Sequence, residues 1–347
     1  MKTYFITGGA GFIGSNFIHY LFNKYKDSIK VVNIDSLTYA GNLKNLDNIP
    51  TQYIENGNYV FEQFDICDLA SIEKLFVKYK PDYVINFAAE SHVDRSINNA
   101  SIFLRTNIMG TEVLLHCSKK YGIERYHQVS TDEVYGSLGE TGKFTENTAL
   151  APRSPYSASK ASADLICEAY FETYNLPLTV SRCSNNYGPY QFPEKLIPLT
   201  INNILTNKPM TIYGKGLNVR DWIHVDDHCS GIDLIVHNAN VGETFNIGGN
   251  NEWRNIDLVK LIVNKVNELS AIYPYDVKNF EELIVHVADR KGHDFRYAID
   301  NSKIMEHLNW EPQVNFHKGV TETIKWYLEN KEWMHYSQNR GLNIDGK

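Results

Sequence analysis

Residues 2–14, Lys2-Thr3-Tyr4-Phe5-Ile6-Thr7-Gly8-Gly9-Ala10-Gly11-Phe12-Ile13-Gly14, begin as a short apolar run, break into glycines and resume as a helical pattern from Phe12 to Asn23. Glycines at 8, 11 and 14 permit a tight turn and let backbone N–H groups and a helix N-terminus approach a pyrophosphate, with Phe12 and Ile13 inside the same turn. The next apolar run, Val31 to Ile34, ends at Asp35, 21 positions after Gly14, where a carboxylate accepts hydrogen bonds from an adenosine ribose. Ser36, Leu37 and Thr38 continue that loop, and with no Arg beside Asp35 the pattern favours NAD over NADP. Asp65-Ile66, at the tip of the third run, falls beside the adenine, and Ala88-Ala89 gives a close passage at the end of the fourth.

Outward from this turn, short apolar runs alternate with helical patterns, the mark of a parallel sheet flanked by helices. Strands are predicted at Tyr59 to Phe64, Tyr83 to Phe87, Tyr126 to Ser130 and Leu178 to Cys183, with helices near Ile102 to Tyr121 and over Pro155 to Tyr174. The fold class is a doubly wound α/β parallel sheet. After Asn186, Gly188, Pro189, Pro193, Pro198 and Pro209 break the rhythm, so a boundary divides 1–190 from a smaller, mixed α/β part over 191–347. That part is predicted to hold helices near Leu196 to Thr206, Ile256 to Leu269 and Lys318 to Glu329 and a strand near Ile284 to Val287. A segment of about 220–248, with a buried-strand pattern at Thr244 to Ile247, is expected to return to the first sheet. From about Ser337 on the chain is polar and expected to be loose.

Composition removes several function classes. With 347 residues the chain is above the usual size at which one hydrophobic core splits in two, so one large or two coupled domains are expected, and no apolar run approaches the roughly 20 residues that span a bilayer. A net charge of -7, with no basic cluster, argues against a nucleic-acid surface. Five scattered cysteines without a C-x-x-C pair read as reduced thiols. The N-terminus starts directly with a strand and lacks the features of a signal peptide, so a cytoplasmic location is expected. His224 and His228 stand four apart beside Asp226 and Asp227, but nothing else has ligand spacing and no metal is expected.

Tyr156-Ser157-Ala158-Ser159-Lys160 places Tyr and Lys four apart, on one face of a helix that Pro155 opens. A lysine ammonium near a phenol favours the phenolate, and a bound nicotinamide cation adds to the effect, so a group with an ordinary pKa of about 10 can serve as a base. Thr131-Asp132-Glu133 follows the Tyr126 strand, where open α/β sheets bind ligands. Adjacent carboxylates in a partly dry cleft can have their pKa values pushed apart into a proton donor and a proton acceptor, the pair that an elimination of water requires.

The glycine turn coupled to Tyr156 and Lys160 resembles the short-chain dehydrogenase/reductase superfamily, in its extended, sugar-nucleotide-modifying branch. The Asp132-Glu133 pair, with Glu90-Ser91-His92-Val93-Asp94-Arg95-Ser96, Ser184-Asn185-Asn186-Tyr187-Gly188-Pro189 and Arg220-Asp221-Trp222-Ile223-His224, is similar to the nucleotide-sugar 4,6-dehydratases of that branch, from Met1 to about Trp333. The resemblance implies a Rossmann domain for NAD over 1–190 and a sugar-nucleotide domain over 191–347. It adds Ser91, Thr106, Ser130 and Asn186 to the cofactor site. It implies that Asn185, Lys195, Arg220 and Arg290 meet a diphosphate, with His293 nearby, that Thr211, Ile212, Tyr213 and Asn255 lie along the nucleoside, and that Ser91, His92, Thr131 and Leu196 touch substrate. It also implies a homodimer through the Ile102 to Tyr121 and Tyr156 helices. An epimerase or decarboxylase would share the NAD site and the Tyr156/Lys160 pair, and the two adjacent carboxylates argue against it. A non-catalytic NAD sensor would typically have lost the tyrosine or the lysine.

Overall fold

The computed structural model describes residues 1–270, 272, 280–290 and 292–345. Its strands are β1 (Lys2–Thr7), β2 (Ile29–Ile34), β3 (Tyr59–Glu62), β4 (Tyr83–Asn86), β5 (Arg125–Thr131) and β6 (Leu178–Cys183), then β7 (Asn185–Tyr187), β8 (Met210–Tyr213), β9 (Val219–His224), β10 (Thr244–Ile247), β11 (Glu252–Arg254) and β12 (Ile284–Val287). Seven of them form one sheet in the order β10-β6-β5-β4-β1-β2-β3, every neighbouring pair parallel. The α/β doubly wound class read from the sequence therefore holds.

Alternation along each strand divides the core. Tyr4, Ile6, Val31, Ile85 and Phe245 face the helices Phe12–Tyr25 and Val225–Asn238, whereas Phe5, Val32, Val84, Tyr126 and Leu178 face the opposite layer, which includes Leu69–Tyr79 and Thr111–Tyr121. The chain leaves β1 toward β2 and β3 and returns to β4 on the other side, so the crevice at the carboxyl ends of β1 and β4 is the switch point where such sheets bind ligands. There the backbones nearly touch: a Cβ on Gly8, whose φ is +68°, would lie 2.7 Å from the Ala88 nitrogen.

A second core lies under the small sheets β11-β9-β7 and β12-β8, where Ile197, Ile201, Leu258, Ile262, Val320 and Ile324 pack between the helices Leu196–Leu205, Asn255–Leu269 and Phe316–Glu329. The strand β10, beyond the first two segments of this lobe, pairs with β6 at the edge of the large sheet.

Two expectations are corrected. The stretch from Ile102 to Tyr121 is not one α-helix: a π-helical segment, Leu104–Gly110, separates Ala100–Phe103 from Thr111–Tyr121. At its end Gly110 passes so near Ile66 that a Cβ would lie 2.5 Å from Cδ1. Nor is the chain loose from Ser337. Lys331–Asp345 is a helix, Ser337 is fully buried, and its hydroxyl accepts from Asn42 Nδ2 at 3.0 Å. The composition misleads because only a narrow stripe, Trp333, Met334, Ser337 and Gly341, is buried on an otherwise polar helix. Among the described residues no helix is long and apolar enough to cross a membrane, and no three His, Cys, Asp or Glu side chains gather as a metal site.

Candidate active site

The cleft over the switch point begins at the glycine turn. Gly8 N–H donates to Ile34 O, and Gly11 N–H to Gly8 O, which turns the chain into a helix of 14 residues with no acidic side chain in its first turn. The positive end of that helix is left for an anion. A Cβ on Gly14 would lie 2.4 Å from Gly8 O, so only glycine keeps the turn this tight. Asp35 is buried, and its Oδ2 accepts from Ala10 N–H at 3.0 Å and its Oδ1 from Leu37 N–H at 2.7 Å. Burial raises its carboxyl, opposed by those two bonds and by the charge of Arg340. An arginine thus does stand near Asp35, brought from the far end of the chain and invisible in the local sequence. Asp65 accepts from Arg105 at 2.7 Å. With Phe12, Ile13, Ser36, Thr38, Ile66, Ala88, Ala89, Ser91 and Thr106 these residues line one continuous cleft. Its inner wall includes the Ser130 hydroxyl, buried and without a partner among the described residues. A glycine cradle, an uncompensated helix end and a ribose-directed carboxylate fit a dinucleotide.

At the other end stand Tyr156 and Lys160. Ser154 caps their helix through Ser157 N–H and Pro155 occupies its first turn, so the helix starts with Tyr156 at the cleft. Lys160 Nζ donates to Val129 O at 2.7 Å, which ties the helix to β5. The expected lowering of the phenol by Lys160 is not met by the chain's own groups: burial pushes Tyr156 well above its ordinary value, and the charges of Glu133 and Cys183 push it further, against a hydrogen bond from Thr131. The lysine ammonium is itself engaged on a carbonyl, and burial lowers it.

β5 delivers Thr131 to the same point and then tightens into a 3₁₀ turn over Asp132–Tyr135, with Thr131 Oγ1 accepting from Glu133 N–H and donating to Asp132 Oδ1, both at 3.3 Å. The two carboxyls have different surroundings. Asp132 is buried, its Oδ2 has no partner among the described residues, and burial, Glu133 and Asp221 raise it well above the carboxylate range, so it holds its proton. Burial also raises Glu133, but Arg220, Arg290 and Lys195 pull it down. A neutral acid beside a cation-stabilised base is an arrangement for removing one proton and delivering another.

Of the residues expected at the substrate, Ser91, Thr131, Asn185 and Lys195 line the cleft, and Lys195 Nζ donates to Ser91 O at 2.9 Å. His92, Leu196, Thr211, Ile212, Tyr213, Arg220, Asn255, Arg290 and His293 are not among the lining residues, nor are Leu37 and Asp132, the latter buried behind Thr131 and Glu133. Ile212 lies in the second core, Leu196 packs against it and Leu37 packs against the first. Of the rest, Arg220 and Arg290 act on Glu133 through their charge. Arg220 donates to Val219 O and Asp294 O, and Tyr213 and Arg290 both reach Asp94, at 3.2 and 3.7 Å. His293 Nδ1 lies 2.6 Å from Asp289, His92 accepts from Arg95 N–H, and Asn255 Oδ1 is buried without a partner among the described residues. Asn186 lines the cleft, its Oδ1 bonded to His228, which leaves that histidine a structural role. Cys183, at the end of β6, and Tyr39, Gln191, Phe192 and Glu194, in irregular loops, also line the cleft; ordinary residue types, they carry no sequence signal.

A parallel sheet with a dinucleotide cradle at its switch point, and a Tyr-x-x-x-Lys helix beside it, defines an NAD-dependent enzyme of the extended short-chain dehydrogenase/reductase class. The chain belongs to the GDP-mannose 4,6 dehydratase family, whose model matches residues 5–323, and the relatives it resembles within that family are dTDP-glucose 4,6-dehydratases. It is 49% identical to the dTDP-glucose 4,6-dehydratase of Neisseria meningitidis, across 99% of this chain and 98% of that protein. The crystal structure of the Bacillus anthracis dTDP-glucose 4,6-dehydratase in complex with NAD superposes with a TM-score of 0.86 at 47% identity, covering 97% of this chain and 100% of that one. The Streptomyces venezuelae dTDP-glucose 4,6-dehydratase, crystallised with NAD bound, gives 0.89 at 44% identity over the same shares.

Proposed function

We propose that the protein is an NAD-dependent nucleotide-sugar dehydratase that converts dTDP-glucose to dTDP-4-keto-6-deoxyglucose and water, a step of deoxysugar biosynthesis. The observation that carries the reading is a pair of adjacent carboxyls in unlike surroundings at the end of β5, beside the dinucleotide cleft: Asp132, buried with its Oδ2 unpartnered among the described residues, and Glu133, which lines the cleft under the pull of Arg220, Arg290 and Lys195.

NAD, which the glycine turn and Asp35 would hold, would supply a hydride acceptor for the sugar C4 and a hydride donor for C6, so the reaction would have no net redox change. Tyr156 takes the proton of the C4 hydroxyl as a phenolate, a form that the charge of a bound oxidised nicotinamide would favour against the burial that raises the phenol, while Lys160, bonded to Val129 O, holds the tyrosine's helix on β5. Thr131 donates to the C4 oxygen as it becomes a carbonyl. That carbonyl acidifies C5–H, which Glu133 removes while Asp132 protonates the C6 hydroxyl as it leaves as water. Glu133, whose carboxyl exchanges with solvent, then returns a proton to C5, and the proton gained by Tyr156 balances, through solvent, the one given up by Asp132. The second lobe shields the intermediate from water through the Asp94 contacts with Tyr213 and Arg290.

The decisive experiment follows one hydrogen. Glucose deuterated at C4 and attached to dTDP should give a 6-deoxy product with deuterium in its methyl group, without added NADH and with solvent hydrogen at C5. Label kept at C4 of an intact hexose marks an epimerase, and label lost to free NADH a simple dehydrogenase.

The assembly belongs to the same proposal. Ile102, Leu104, Met109 and Leu165 are 40–56% exposed on the Ala100–Gly110 stretch and the Pro155–Tyr174 helix, an apolar face that a second copy would cover. A light-scattering mass at the single-chain value over a wide concentration range would refute a homodimer. The five cysteines are free thiols, in keeping with a cytoplasmic enzyme.

A further inference from the structure

The Asp35 carboxylate sits inside a closed circuit of hydrogen bonds that passes through the C-terminal helix. Its Oδ2 accepts from Ala10 N–H, at 3.0 Å; Ala10 O in turn accepts from Asn42 N–H, at 2.9 Å. Asn42 Nδ2 donates to Ser337 Oγ, at 3.0 Å and fully buried. One turn further along the same helix, Arg340 Nη2 donates to Leu37 O at 3.0 Å, and Leu37 N–H closes the ring on Asp35 Oδ1 at 2.7 Å. Leu37 lies at φ +54°, the left-handed region that a branched side chain rarely adopts, so its peptide needs outside support. Its two backbone groups receive that support from opposite sides, the N–H from Asp35 and the carbonyl from Arg340.

We propose that Arg340 is a positioning residue for the cofactor: with Ser337 it holds the Asp35 loop in the conformation that binds the adenosine ribose, and so makes the Lys331–Asp345 helix part of the NAD site. The inference rests on the NAD-dependent reading above. It follows from geometry: both oxygens of Asp35 are aimed by backbone N–H groups, those groups belong to the glycine turn and the Leu37 turn, and the C-terminal helix bonds to the Leu37 turn directly and to the glycine turn through Asn42. A carboxylate fixed this way meets the ribose hydroxyls without first losing rotational freedom, which is where preorganisation yields affinity. The Arg340 charge lies close enough to favour the ionised Asp35, the form that accepts both hydroxyls.

The test separates the adenosine half of the site from everything else. Cofactor-stripped protein is titrated with NAD, ADP-ribose, nicotinamide mononucleotide and dTDP, followed by tryptophan fluorescence. Arg340→Ala should weaken NAD and ADP-ribose by roughly tenfold or more, the loss of one charged hydrogen bond, and leave nicotinamide mononucleotide and dTDP unchanged. Arg340→Lys, which keeps a charged donor, should recover most of that loss, and Ser337→Ala should show a smaller loss of the same pattern. NAD affinity within twofold of wild type in Arg340→Ala would overturn the proposal, as would an equal loss for all four ligands, which marks general unfolding of the lobe. If Arg340→Ala does not fold, Arg340→Lys and Ser337→Ala make the same comparison. A wild-type protein that binds no NAD would refute the cofactor reading itself, a result distinct from either.

Discussion

Glu133→Gln isolates the elimination step. The substitution keeps the shape of the side chain, and the residue 133 N–H still donates to Thr131 Oγ1, so the 3₁₀ turn that places Asp132 is untouched. What is lost is one negative charge and a proton acceptor among Arg220, Arg290 and Lys195. A positioned general base contributes roughly 10²–10⁴ in rate, so product formation should fall by about 2.7–5.4 kcal/mol of activation free energy at 1.36 kcal/mol per decade. The first oxidation should behave in the opposite way. Next to burial, Glu133 is the largest influence raising the Tyr156 phenol, so its neutralisation eases removal of the C4 proton. Mixed rapidly with dTDP-glucose, the variant should therefore accumulate enzyme-bound NADH, visible in the near-ultraviolet, with little release of water or 6-deoxy product. Undiminished product formation would show that Glu133 is not the base. Loss of both NADH and product would place it upstream of the oxidation and refute the division of roles between it and Tyr156.

Three further outcomes follow from the geometry. Tyr156→Phe removes the acceptor for the C4 proton and should abolish the NADH signal as well as turnover, while dTDP still binds with wild-type affinity in a titration. Gly14→Ala drives a methyl group against Gly8 O at 2.4 Å and the Gly9 Cα at 2.9 Å, both backbone, so thermal unfolding should show a loss of about 1–3 kcal/mol together with loss of retained NAD. The third concerns pH and a site remote from the cleft, where His237, lowered by burial but on balance raised by its bonds to Asp233, faces Lys24, Tyr25 and Tyr4. A raised folded-state value stabilises fully below the ordinary imidazole range and is lost as pH climbs through the raised value. The stability advantage of wild type over His237→Gln should thus be full below the ordinary imidazole range and shrink as pH rises through the raised folded-state value, and an advantage that grows with pH would reverse the sign of the argument.

The parts of the site that a local pattern can encode were readable before any coordinates. Gly8 and Gly14 announce a backbone approach that a side chain would obstruct, and Tyr156 and Lys160 share a helix face by spacing alone. Thr131, Asp132 and Glu133 were legible because a strand end fixes their place. What escaped is set by contacts distant in sequence. That Lys160 bonds Val129 O rather than lowering Tyr156 depends on how a helix settles on β5. The side chains of Leu37, Leu196 and Ile212 turn into cores that exist only after the lobes pack, and the π-helical break before Thr111 answers to Ile66, some forty residues earlier, rather than to its own periodicity. The Val225–Asn238 helix, rich in Asp and His at its start, has a weak apolar signal and takes its buried face from the sheet that it covers.

The edge strand β10 has a consequence for biosynthesis. All six residues of β6 are buried in the finished molecule, yet its outer neighbour leaves the ribosome only after the first helix and three small strands, β7, β8 and β9, of the other lobe have been made. Until then β6 presents an open row of backbone donors and acceptors, the kind of edge that recruits foreign strands. The large sheet is therefore completed late, by a segment that must first pass through the partner lobe, and closing that long loop slows folding more than it weakens the result. A chain stopped between β9 and β10 would carry the whole glycine cradle and the Tyr156 helix and still be prone to aggregate. The two lobes, although each has its own core, are made to fold as one unit.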